Sequence, residues 1–162
     1  MHLKKDWPQN YWRVSTTMLN LTVKTILKDV KVNRNYDIPY LAGYSNDGKT
    51  IFIDRHMPKS FVYRGRRIMT DRFLILHEAI EKALIDKFDM IYEFAHQIAL
   101  RSEEAAVRAQ KISWDAYNKF MNQHIKSVSD ERIKKVPKKL DLKPYIDEED
   151  RALLKQMKKV MC

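Results

Sequence analysis

A chain of 162 residues with 44% hydrophobic and 32% charged side chains has the size and composition of one globular domain. Three glycines are too few for an all-β sandwich, a phosphate-binding P-loop or a dinucleotide-binding turn. The net charge of +10 is uneven: residues 1–70 carry 13 basic and 5 acidic side chains, residues 71–110 carry 5 and 8, and residues 111–162 carry 13 and 8. An acidic middle therefore sits inside a basic chain, whose surface favours acidic partners such as nucleic acid. The one cysteine, Cys162, excludes a disulfide within the chain and suits a reducing compartment. The stretch Met1–Pro8 has no apolar core of a signal peptide. No apolar run approaches the roughly 18 residues that cross a membrane, so a cytoplasmic protein is expected.

Residues 13–32 carry two patterns. Met18, Leu21, Thr25 and Ile26 share a helix face, whereas Leu19, Leu21, Val23 and Thr25 alternate as in a strand. Length favours the helix, and the Asn33–Pro39 stretch ends it. Ser45-Asn46-Asp47-Gly48 is a turn, followed by the β-branched and aromatic run Thr50–Asp54, which predicts a strand. Phe61–Arg64 predicts a second strand, with Gly65-Arg66-Arg67 as a turn or bulge. The two strands either form a ribbon or join a small sheet with the 38–44 segment. From Asp71 the period becomes helical, with Thr70 or Asp71 as cap. Asp89 is expected to cap a second helix reaching about Gln110, and Ser113 a third that carries Trp114, Tyr117, Phe120, Met121 and Ile125. Val136–Tyr145 reads as an extended stretch bounded by prolines, and residues 147–160 as an amphipathic helix. Short strands followed by helices give an α+β class: a small few-stranded sheet with a mainly helical core. Residues 1–146 form the expected domain. Residues 147–162 add a C-terminal helix that is either packed on it or exposed.

The helix beginning at Asp71 contains His77-Glu78-Ala79-Ile80-Glu81, an HExxE segment. Positions i and i+4 share a helix face, so His77 and Glu81 point together, among Phe73, Ile80 and Leu84. A buried carboxylate is costly without a partner, and a divalent cation supplies one. The pattern parallels the HExxH helix, in which two residues bind zinc and the intervening Glu, here Glu78, polarises water. Zinc accepts carboxylate oxygen as well as imidazole nitrogen, and manganese or iron also suits such a set. On the next helix His96 and Glu103 lie two turns apart on one face. An antiparallel pair joined near Lys87-Phe88-Asp89 brings His77, Glu81, His96 and Glu103 together. Three ligands make an open, catalytic site and four a closed, structural one; Glu103 is either the fourth ligand or a partner that orients His96. The bland alternative is a plain hydrogen-bonded pair at i,i+4.

The strings PYLAGYSNDGKTIFIDRHMPKS, LILHEAIEKAL, YEFAHQIALRSEEAAV and LDLKPY together resemble a family of uncharacterised bacterial and phage-associated proteins. Those proteins share a GxSxDG turn, an iDRxxP segment, the HExxE helix and a YxxAH…E helix, and the resemblance covers roughly residues 38–146. The active helix also resembles that of zincin metallopeptidases, with Glu81 where those enzymes have His and no Met-turn motif following. That resemblance implies His77, Glu81 and His96 as ligands and Glu78 as general base. It also implies an extended substrate held along Phe52-Ile53-Asp54. His56 is either a further ligand or substrate-facing group, or part of a strand-end turn in which Asp54 pairs with Arg55 or Arg72. A phage origin would place the protein in the host cytoplasm or the virion.

Three functions compete on these grounds. The first is a zinc-dependent hydrolase acting on a peptide or protein, with Tyr92 or His96 stabilising the oxyanion. The second is a metal-stabilised nucleic-acid-binding or virion-associated protein, using basic clusters such as Arg64, Arg66 and Arg67 or Lys134, Lys135, Lys138 and Lys139. The third is a metal-free helical module in which the same residues form a buried hydrogen-bond network.

Overall fold

A computed structural model describes residues 16–162, with side chains from residue 20 onward. The N-terminal stretch read for a signal peptide and residues 13–15 lie outside these described residues; the backbone of Met18 and Leu19 belongs to a helix, as length favoured. In chain order the elements are α1 (Thr16–Asp29), β1 (Lys31–Asn33), β2 (Ala42–Tyr44), β3 (Thr50–Ile53), β4 (Ser60–Tyr63), β5 (Arg66–Met69) and α2 (Asp71–Phe88), followed by α3 (Tyr92–Ala109), α4 (Trp114–Asp130), α5 (Lys143–Asp147) and α6 (Arg151–Lys159). The α+β class holds, with a mainly helical core beside two small sheets.

The first sheet has the order β1-β3-β2, with β1 parallel and β2 antiparallel to β3. Its central strand is buried on both faces, which explains why Thr50–Ile53 reads as an unbroken apolar run. Ile51 and Ile53 enter the main core, while Phe52 enters a second core with Ile38, Val136, Leu140, Tyr145 and Met157. β4 and β5 form a separate ribbon. Its two-residue turn is Arg64-Gly65, both at positive φ (48° and 77°), so Arg66 and Arg67 are strand residues and not part of the turn.

α2 packs against α1, α3, β2 and β3, and eleven of its eighteen residues are buried. It ends where Asp89 turns left-handed (φ 51°) and its N–H reaches back to the Leu84 carbonyl. Asp89 therefore stops α2 instead of capping α3, whose N-cap is Ile91. Thr70 precedes α2 without a side-chain cap, since its hydroxyl donates to the Pro58 carbonyl. Ser113 does cap α4, accepting from the Ala116 N–H.

The C-terminal segment closes the structure. Leu140 bridges Ser45, and Val136 bridges Met161. Gly43 permits the first approach: a Cβ there would sit 2.9 Å from the Leu140 side chain. The helix expected over 147–160 is α6, which starts at Arg151, and the stretch expected to be extended to Tyr145 ends in the short α5 with Pro144 in its first turn. α6 is packed, with Met157 fully buried.

Asp37 ties this segment to the sheet loops. Its carboxylate accepts the Lys134 and Lys135 N–H groups at 2.8 and 3.0 Å and the Arg55 Nε at 2.7 Å. Burial alone would raise its pKa, but these donors outweigh that and hold it below the usual value of 3.8. A lowered folded-state pKa stabilises the fold above the unfolded value, and that contribution is lost as pH falls through the folded value. Asp37→Asn is expected to cost about 1–3 kcal/mol at neutral pH. Chemical denaturation across pH should show the gap between variant and wild type shrinking toward strong acid.

Candidate metal centre

The α2–α3 hairpin brings three donor atoms together. His77 Nε2 lies 3.2 Å from Glu81 Oε2 and 3.2 Å from His96 Nδ1, and Glu81 Oε2 lies 3.0 Å from His96 Nδ1. Among the described residues, His77, Glu81 and His96 form one of two groups whose geometry could hold a metal ion. Bonds of about 2.0–2.1 Å at tetrahedral angles put ligand atoms about 3.3 Å apart, so the triangle fits one face of such a site.

On its other side His77 Nδ1 lies 2.7 Å from Glu103 Oε1. A carboxylate can only accept, so the ring donates there. In a neutral His77 the Nε2 lone pair then faces the Glu81 carboxylate and His96, an arrangement that needs a positive charge. Without metal, a second proton on His77 meets that need. Burial alone would lower its pKa, but the bonds to Glu103 and Glu81 prevail and hold it well above the usual 6.5. Burial likewise opposes ionisation of Glu81, yet the hydrogen bonds from His77 and His96 keep its pKa below normal.

Two tyrosines hold the carboxylates. Tyr117 donates to Glu103 Oε2 at 2.6 Å, and Tyr44 donates to Glu81 Oε1 at 3.1 Å. Burial first, then the neighbouring carboxylates, push both phenol pKa values up, so both remain donors. The Phe73 edge at 5.4 Å and the Trp114 ring stacked at 5.5 Å fix Tyr117. The sequence reading had no role for either phenol. Tyr44 lay within the GxSxDG turn and Tyr117 within an apolar helix stripe.

Glu78 differs from its neighbours. It is 7% exposed and lines a cavity of about 250 Å³, and its carboxylate has no hydrogen-bond partner among the described residues. Burial, then the charge of Glu81, raise its pKa well above normal. The same cavity is lined by Ala42 and Gly43, on the outer strand of the sheet. Leu41 and Ser45 bond β3 through their O and N, so the Ala42 N–H and C=O point away from it. Among the described residues neither has a partner. The Tyr44 carbonyl, one step along, accepts the Asp141 N–H at 2.9 Å. Tyr40 and Leu41, just before the strand, both sit at positive φ (66° and 75°), so strain is stored at the cavity wall.

Four expected placements change. Glu103 is neither a fourth ligand nor the partner of His96, because it reaches the far nitrogen of His77. Phe52 and Ile53 are 4% and 0% exposed on the central strand, so neither faces the cavity as a substrate-holding edge. His56 lies in a separate cluster, with Nδ1 2.7 Å from Glu131 and 3.6 Å from Asp54. Asp54 accepts the Ile38 and His56 N–H groups, with no bond to Arg55 or Arg72. Tyr92 does sit at the centre, its hydroxyl 3.4 Å from His96 Nδ1.

Compared with protein-family models, curated proteins and solved structures, the chain matches none. The candidate centre therefore rests on its own geometry. Glu103→Gln should lower zinc affinity about 10–100-fold, measured by competition with a chromogenic chelator. Affinity of the wild-type chain should also fall as pH falls, because a cation must displace the extra proton of His77.

Proposed function

We propose that the chain is a zinc-dependent hydrolase of peptide bonds, with His77, Glu81 and His96 as ligands and Glu78 as general base. The observation that carries this reading is the Glu78 carboxylate, which lines the cavity with no hydrogen-bond partner among the described residues, beside three converging donors. A purely structural metal site has no use for a carboxylate turned to the open cavity. A bound divalent cation would make water more acidic and polarise a carbonyl; manganese or iron could do the same. Glu78 would take the proton from water and pass it to the leaving amine, and its raised pKa suits both steps. Tyr92, beside His96, is placed to donate toward the developing oxyanion.

Two features favour a peptide. The free N–H and C=O of Ala42 can pair with an extended backbone laid beside β2. No Lys or Arg lines the cavity among the described residues, so no side chain there would add to a metal in neutralising a phosphodiester. Of the basic clusters weighed for nucleic acid, several members are engaged in the fold: Arg66 bonds the Gln110 and Lys111 carbonyls, and Lys135 lies over the Tyr36 ring. The likeness to zincins is confined to the metal helix and an adjacent edge strand. No helix among the described residues is long and apolar enough to cross a membrane.

Glu78→Gln preserves shape and removes the base. Zinc-loaded variant should cleave a mixed peptide pool at least about 100-fold more slowly than wild type while keeping its zinc. Loss of zinc along with activity would make Glu78 a ligand and sink this mechanism.

A further inference from the structure

We propose that Tyr44 is a positioning residue that confines Glu81 to one donor oxygen, so that the chain offers a cation three donor atoms and not four. This rests on the metal-site reading above and goes beyond it, because the donor number decides whether the site stays open to water and substrate.

The two oxygens of Glu81 have separate tasks. Oε2 faces both imidazoles, 3.0 Å from His96 and 3.2 Å from His77. Oε1 accepts the Tyr44 hydroxyl at 3.1 Å. For both oxygens to bind one cation, the carboxylate would have to turn and give up that bond. Tyr44 is 2% exposed, so its hydroxyl would be left buried and unpaired.

Tyr44 is itself held from two directions. Its carbonyl accepts the Asp141 N–H at 2.9 Å. Its ring lies 5.0 Å from Lys82 Nζ, which is bonded at 2.8 Å to Asp141 and at 3.0 Å to Asp86. Lys82 follows Glu81 on α2, so one helix supplies both the ligand and the clamp on the residue that positions it. Tyr117 makes a contrasting bond: through Glu103 it orients the His77 ring and leaves the number of donors unchanged.

Cobalt(II) absorption reads donor number directly, since the visible band weakens as coordination rises from four to five. The full chain, Tyr44→Phe and Tyr117→Phe should each be titrated with cobalt. Tyr44→Phe is expected to show a weaker, shifted band with affinity within about tenfold of wild type. Tyr117→Phe is expected to lose affinity with the band shape retained. Identical bands for wild type and Tyr44→Phe would overturn the proposal while leaving the metal site standing. A wild-type chain that takes up no cobalt would overturn the site itself. If Tyr44→Phe does not fold, the wild-type band decides: four-coordinate cobalt is the expected result, and a five-coordinate band would overturn the role of Tyr44.

Discussion

Three atoms able to bind a cation, His77 Nε2, Glu81 Oε2 and His96 Nδ1, converge within 3.2 Å of one another. Most of the surrounding structure can be understood as the means of holding them there. Such a triangle is repulsive unless protons or a cation sit between its atoms. A proton on His77 meets that need in the metal-free chain, and a divalent cation would meet it more fully. The acidic middle of an otherwise basic chain follows from the same need. Glu78, Glu81 and Glu103 are all buried on the α2–α3 hairpin, and each must be balanced.

The fold supports the triangle from behind. α2 and α3 supply the donors, and the elements packed on them supply phenols: Tyr44 from β2 and Tyr117 from α4. The aromatic packing around Tyr117 and the Lys82–Asp141 bond on the other flank mean that neither phenol can drift without disturbing a core or an ion pair. Glu78 alone escapes this network. In a centre where every other carboxylate is held by a hydroxyl or an imidazole, a free one facing the cavity is the feature on which the proposed chemistry rests.

Much of the centre was legible because helices place residues by period. HExxE puts His77 and Glu81 on one face whatever surrounds them, and a short turn at Asp89 forces α3 to run back along α2. The sheet was harder. β1 hides at the end of a helical pattern because Lys31-Val32-Asn33 is too short to show alternation. The likeness to zincins points to β3 as the edge strand, yet its apolar run reflects burial on both faces by two cores. The true edge, Ala42-Gly43-Tyr44, carries almost no strand signal. Glu103 was found as a member of the site but not in its role, because spacing along α3 does not say which nitrogen of which histidine a carboxylate reaches. The phenol partners were invisible for the same reason: their meaning lies in contacts across elements.

Metal content is the most direct measurement of whether the triangle holds a cation. The full chain, purified without a nickel column, should contain about one divalent transition metal per molecule by elemental analysis, and a strong chelator should lower its Tm, since a ligand bound only to the folded state adds stability. A chain that carries no metal, gains none on exposure to zinc and melts at the same temperature with or without chelator would contradict the account. It would leave His77, Glu81 and His96 as a proton-balanced hydrogen-bond network.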